Sequence, residues 1–184
     1  MKFVKMLGVA AVLAAGAMGV VPAAVGAPAA APAASTVITV GHVKAVTALL
    51  EAMQAEKMMR TTASLSKYAN EAQRASVFAK LDKMPKEQIY ARLAYPLAKA
   101  ISAETATEMT RFYNTPYGKQ VVYQMYNSGG GMQGMGMGGA KATDAAEKKE
   151  MKRPEYVKAK KELADADSAI SHEAFVLLQA ISKK

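Results

Sequence analysis

Residues 101–125 read ISAETATEMTRFYNTPYGKQVVYQM, and this stretch decides the fold. Ser102 can accept a backbone N–H as a helix cap, and Glu104 follows at the positive end of the helix dipole. Met109, Phe112 and Tyr113 supply an apolar side at helical spacing. Thr115-Pro116 then repeats the start signal, a hydroxyl cap followed by the residue that tolerates a first helical position. Val121, Val122 and Met125 carry the apolar side on to about Asn127. Two helices joined by so short a connection form a tight corner. Gly118, one turn into the second helix, has no side chain to hold a neighbour away. The segment predicts helix on helix, and therefore an all-α fold.

Upstream, Val46, Leu49, Leu50 and Met53 predict a helix over about 43–53. A second is expected over about 56–83, with Met58, Thr62, Leu65, Ala69, Ala72 and Ala79 along one side. A third starts at Pro85 and places Ile89, Leu93, Leu97 and Ile101 in a row, with Pro96 expected to kink or split it. Val37-Ile38-Thr39-Val40 reads as a short extended lead-in.

Downstream, Gly129–Gly139 holds the run GGGMQGMGMGG, which predicts a flexible loop. From Pro154, the residues Tyr156, Ala159, Leu163, Ala166, Ile170, Ala174, Leu177 and Ile181 keep helical spacing. They predict one long amphipathic helix, with a shorter helical piece over 143–152 before it. Its apolar face requires a partner surface: the preceding helical body, or a second copy of the chain in a homo-oligomer.

The chain begins Met1-Lys2-Phe3-Val4-Lys5, continues as an uncharged apolar run over 6–21, and passes into small residues over 23–34. A basic start, an apolar middle and a small-residue exit are what a signal peptidase reads. The Ala/Gly-rich run is weak for a bilayer span, which wants about 20 strongly apolar residues. The expected organisation is a signal peptide over 1–27 with a cut somewhere in 23–33, and a Pro/Ala-rich tether over 28–41. A helical domain over 42–127, the Gly/Met loop over 128–140 and a C-terminal segment over 141–184 follow. Such a product is periplasmic or secreted, with no transmembrane span once the signal is removed.

No cysteine is present, so neither a disulfide nor a Cys-ligated metal nor an acylated cysteine is available. The formal charge is +9, or +7 once Lys2 and Lys5 leave. In an exported chain that excess suits an anionic envelope surface or an envelope protein better than nucleic acid. Over 141–161 eight basic residues face four acidic ones, whereas 162–184 is net −2. A basic stretch beside an apolar helix face is one way to contact anionic lipid, and it is also how a solvated helix face reads.

Signals of catalysis are weak. No GxSxG, HExxH or phosphate-binding glycine pattern occurs. The histidines, His42 and His172, stand far apart with no carboxylate set beside them, and His172-Glu173 reads as an exposed pair. No catalytic residue and no cofactor is indicated. Met132, Met135 and Met137 are the one metal-ligand pattern, because closely spaced thioethers suit Cu(I) or Ag(I). A mobile loop or an adaptable contact surface explains the same residues. At the corner, Tyr113, Tyr117 and Lys119 are open to a ligand role, against packing.

The corner also resembles the signature of an exported bacterial helical family described as domain of unknown function 2059, through Phe112, Tyr113, Thr115, Pro116, Gly118 and Lys119. The segment LLEAMQAEKMM over 49–59 is similar to that family's opening helices. There Met53-Gln54 replaces the usual Thr-Gly, which leaves open a continuous helix across that turn beside the separate helices over 43–53 and 56–83. The resemblance covers about 43–127 and implies an exported α-helical fold; it brings no activity. Together the readings predict a non-catalytic binding or structural component of the cell envelope.

Overall fold

The computed structural model describes residues 37–127 and 145–183. They contain nine helices and no strand. These are α1 (Val40–Ala52), α2 (Ala55–Leu65), α3 (Glu71–Lys83), α4 (Lys86–Ala98) and α5 (Ala103–Asn114), then α6 (Pro116–Asn127), α7 (Ala145–Met151), α8 (Pro154–Asp165) and α9 (Asp167–Ser182). The all-α bundle expected from the periodicities is what forms.

α1 packs on α4 and α5. Thr39 caps it by accepting the His42 N–H at 3.1 Å, and Val46, Leu49 and Leu50 are fully buried beneath it. α1 and α2 are separate helices, as the segments over 43–53 and from 56 predict, and the alternative of a continuous helix across 53–54 does not form. Gln54 stands between them at φ 55°, in the left-handed region, and turns the chain. A side chain there costs about 1–2 kcal/mol.

The single helix expected over 56–83 is likewise two. Ser66 ends α2, with its hydroxyl donating to the Thr62 carbonyl, and the Tyr68 hydroxyl donates back to the Ala63 carbonyl. Asn70 then caps α3 by accepting from the Gln73 N–H at 2.8 Å, while the Gln73 side chain accepts from the Ala69 N–H at 2.8 Å. This reciprocal cap starts a new helix after the break at Ser66-Lys67-Tyr68. The break rotates the two halves independently. Ala63, Val77 and Leu81 are buried, whereas Leu65, Ala69, Ala72 and Ala79 of the expected stripe are exposed.

Pro85 sits in the cap position of α4 rather than inside it. Pro96 lies in the last turn, where α4 has little left to lose, and the helix stops after Ala98. Ile89, Leu93, Leu97 and Ile101 are all buried as their spacing predicts.

The long C-terminal helix is also two. Ala166 ends α8 at φ −83° and ψ −6°, and α9 starts at Asp167. The apolar stripe survives the bend, since every member from Tyr156 to Ile181 is buried. α8 packs on α5, and α9 crosses α2, α3 and α4. Of the two surfaces open to that stripe, the chain uses its own body. The described residues, 37–127 and 145–183, accordingly belong to one compact unit.

Candidate functional site

The corner between α5 and α6 is built on one hydroxyl. Thr115 Oγ1 donates to the Phe112 carbonyl at 2.7 Å and accepts from the Gly118 N–H at 2.9 Å. It therefore closes the end of α5 and opens α6 at once. The same carbonyl accepts from the Thr115 N–H at 2.9 Å. Gly118 lies so close that a Cβ on it would overlap the Phe112 carbonyl oxygen and stand 2.7 Å from both the Phe112 carbonyl carbon and Tyr113 Cα.

Phe112 points from this corner into the core. Its ring lies 5.3 Å from Tyr113, 6.0 Å from Tyr117 and 4.4 Å from Tyr156, centroid to centroid. Edge-on and tilted arrangements suit aromatic quadrupoles. Tyr113 is buried, and burial pushes its phenol well above the ordinary value of 10.0. Burial, together with neighbouring Tyr117 and Glu150, pushes Tyr156 up to about 12. The Tyr117 hydroxyl donates to Met151 Sδ at 3.5 Å. Tyr113 and Tyr117 thus meet on Phe112, while Lys119 is exposed on α6. Of the trio open to a ligand role, the structure brings together the two tyrosines.

Three polar groupings tie distant parts of the bundle together, and spacing alone reveals none of them. In the first, Glu108 and Arg111 of α5 meet Glu150 of α7 and Arg153 of the next turn. Arg111 pairs with Glu108 at 2.7 Å and also with Glu150, and Arg153 reaches Glu108 at 3.0 Å and Glu150 at 3.1 Å. Burial would raise the Glu150 carboxyl, but hydrogen bonds from Arg111 and Arg153 outweigh it and hold the carboxyl low. α7 buries none of its residues, so this network and Met151 dock it.

In the second cluster, Glu162 of α8 closes the N-terminus of α5. Its carboxylate accepts from the Ser102 N–H at 2.5 Å, the Ser102 hydroxyl at 3.0 Å and the Thr105 hydroxyl at 2.5 Å. Burial alone would raise this carboxyl. The Thr105 and Ser102 bonds and the charge of Lys158 prevail and lower it. Ser102 meanwhile caps α5 as its position predicts, accepting from the Thr105 N–H at 3.2 Å.

The third is His42, buried in α1, whose Nε2 lies 2.8 Å from the Ile101 carbonyl oxygen. It ties the start of α1 to the end of the α4–α5 connection. His172 is exposed on α9.

Between α5 and α8 runs an open cleft of about 510 Å³, lined by Glu104, Glu108, Glu155 and Lys158 over a floor of Ala103 and Ala159. Its charges are paired: Lys158 reaches Glu104 at 3.4 Å, and Arg153 reaches Glu108 at 3.0 Å and Glu155 at 3.5 Å. Among the described residues, no three His, Cys, Asp or Glu side chains are grouped to hold a metal ion, and no helix is long and apolar enough to cross a membrane. Met132, Met135 and Met137 lie outside the described residues. Comparison of the chain with protein-family models, with curated proteins and with solved structures finds no match.

Proposed function

We propose that this chain is an exported, non-catalytic helical protein of the cell envelope that acts as a binding or structural component. The observation that carries the reading is the use made of the polar groups. His42 joins α1 to the α4–α5 connection, and Glu162 and the Glu108–Arg111–Glu150–Arg153 network tie α5 to α7 and α8. Groups spent in this way rigidify a scaffold and leave recognition to its surface. Export is supported by the basic start, apolar run and small-residue exit over 1–34. The shared corner residues 112–119 support placing the body with the exported family it resembles.

Export is tested by expressing the full sequence in a bacterial host and measuring the intact mass of the product in each cell fraction. A periplasmic or secreted product that has lost its first 23–33 residues is expected; an uncut cytoplasmic product refutes the reading. Binding is tested with photocrosslinkers at the exposed Tyr123 and Val157 in intact cells. A discrete, position-dependent adduct is expected, and recovery of abundant bystanders alone counts against the proposal.

One observation favours a more specific surface role. Lys148, Lys149 and Lys152 are exposed along α7 and the turn after it, Lys158 and Lys161 of α8 are exposed but paired with Glu104 and Asp165, and Val157 beside them is 53% exposed. Glu150 of the same stretch is held by the arginines. A basic face with an apolar residue in it suits anionic lipid. Salt-sensitive cosedimentation with anionic vesicles is expected, and no binding at low salt removes this reading.

A further inference from the structure

The outer face of α1 carries an apolar groove of about 660 Å³. Ile38, Val40, Val43 and Ala48 line it from α1 and the residues before it, and Tyr95 lines it from α4. Val40 is 87% exposed and Tyr95 53%, so this apolar surface is open to water. Lys99 lies 5.0 Å from the Tyr95 ring centroid and steadies the ring at the rim.

Two charges share the groove, Lys44 and Glu51, both exposed on α1. Neither has an ion-pair partner among the described residues. They stand seven residues apart on one face, roughly 10 Å along the axis, too far to pair with each other.

We propose that this groove is the contact face of a symmetric dimer in which the α1 helices of two copies lie antiparallel. A twofold axis passing between Thr47 and Ala48 sets Lys44 of each copy against Glu51 of the other. The face is complementary to itself in charge, which a twofold contact requires. Thr47 and Ala48 at the crossing point are small, allowing a helix separation of about 8–10 Å. Val43 and Tyr95 then flank the seam and lose their water. This face is separate from the C-terminal stripe, which is buried within each chain.

The charges also fix the direction of pairing. A parallel arrangement in register would set Lys44 against Lys44 and Glu51 against Glu51, which like-charge repulsion disfavours.

The test is sedimentation equilibrium on the chain recovered from expression of the full sequence. Reversible dimerisation is expected, and it should weaken at least about tenfold in Lys44→Glu and in Glu51→Lys, since each creates two like-charge contacts per dimer. The doubly exchanged Lys44→Glu/Glu51→Lys chain restores both pairs with their signs reversed, and should return to within about threefold of the parent. Tyr95→Ser should weaken the dimer without touching a charge. Because Lys44, Glu51 and Tyr95 are exposed, unchanged circular dichroism is expected throughout. A monomer up to about 1 mM overturns the proposal. So does a dimer indifferent to the single charge reversals, or a double exchange that fails to recover.

Discussion

Replacing Gly118 by Ala sets two effects of opposite sign against each other. Ala is the better helix former, and in a helix interior the exchange should stabilise by about 1 kcal/mol. Sterics oppose it. The added Cβ stands 2.7 Å from the Phe112 carbonyl carbon and from Tyr113 Cα, where carbon atoms settle at about 3.5–4.0 Å. These are backbone atoms, so no rotamer change relieves the overlap, and α5 and α6 must separate by on the order of 1 Å. Overpacking of this kind costs about 1–3 kcal/mol and occasionally more. Separation also stretches both Thr115 bonds, and a lost cap costs about 1 kcal/mol more. The net expectation is a loss of about 1–3 kcal/mol. With a urea m-value of about 2 kcal/mol/M for a chain of this size, the midpoint should fall by about 0.5–1.5 M. Gly41→Ala is the internal control, since a Cβ there meets only Thr39 Oγ1, at 3.7 Å. That variant should be neutral or stabilised by up to about 1 kcal/mol. Equal midpoints for the two alanine variants, or a rise for Gly118→Ala, would refute the reading of the corner as a close backbone approach.

Gln54→Gly should stabilise by about 1–2 kcal/mol in the same urea assay. It removes a side chain from a left-handed backbone and a buried Oε1 that has no hydrogen-bond partner; a loss of stability would mean that the glutamine packs usefully. Glu162→Ala should cost about 2–3 kcal/mol at pH 7, the range for hydrogen bonds to a charged group. Its folded-state pKa lies below the ordinary 4.5, so the unfolded chain binds more protons and the contribution is complete above about pH 4.5. That contribution fades as pH falls through the depressed value, so the variant should show a flatter acid limb; parallel pH curves would contradict the assignment. Arg111→Ala should speed hydrogen exchange in α7 while leaving α1 protected, and acid should do the same to the parent as Glu150 protonates through its lowered value. Unchanged α7 protection would show that other contacts dock it.

Helix positions and buried faces were legible wherever a long apolar stripe met its own cap. Ser102, Thr115 and the whole Tyr156–Ile181 stripe read correctly, because capping and amphipathic spacing are local properties. The breaks at 66–70 and at Ala166 were harder. Asn70 and Gln73 do carry a readable capping signal, but it sits inside a helix-compatible sequence with no Gly or Pro to announce the stop. Ala166 carries no signal, since alanine is the best helix former and tertiary packing alone bends the chain there. The break at 53–54 was readable from the segment bounds, but not the left-handed backbone of Gln54, where the turn prevails over the preference of the side chain. Of the candidate site, the 112–118 corner was readable and the clusters around it were not. Glu162 and Ser102 are 60 positions apart, and Arg111 and Glu150 are 39 apart. Distances of that kind are set by how helices stack, which no single-chain periodicity contains.

The carboxylate of Glu162 has a consequence for the order in which this chain can become native. A ribosome delivers α5 well before the residue that closes its N-terminus. α2, α3 and α4 likewise wait for α9, far downstream of them, to cover them. Until then a nascent chain holds incomplete helices with open apolar seams. The bundle is therefore expected to close only once α8 and α9 have been delivered, and a chain stopped after Asn127 is expected not to become a stable small domain.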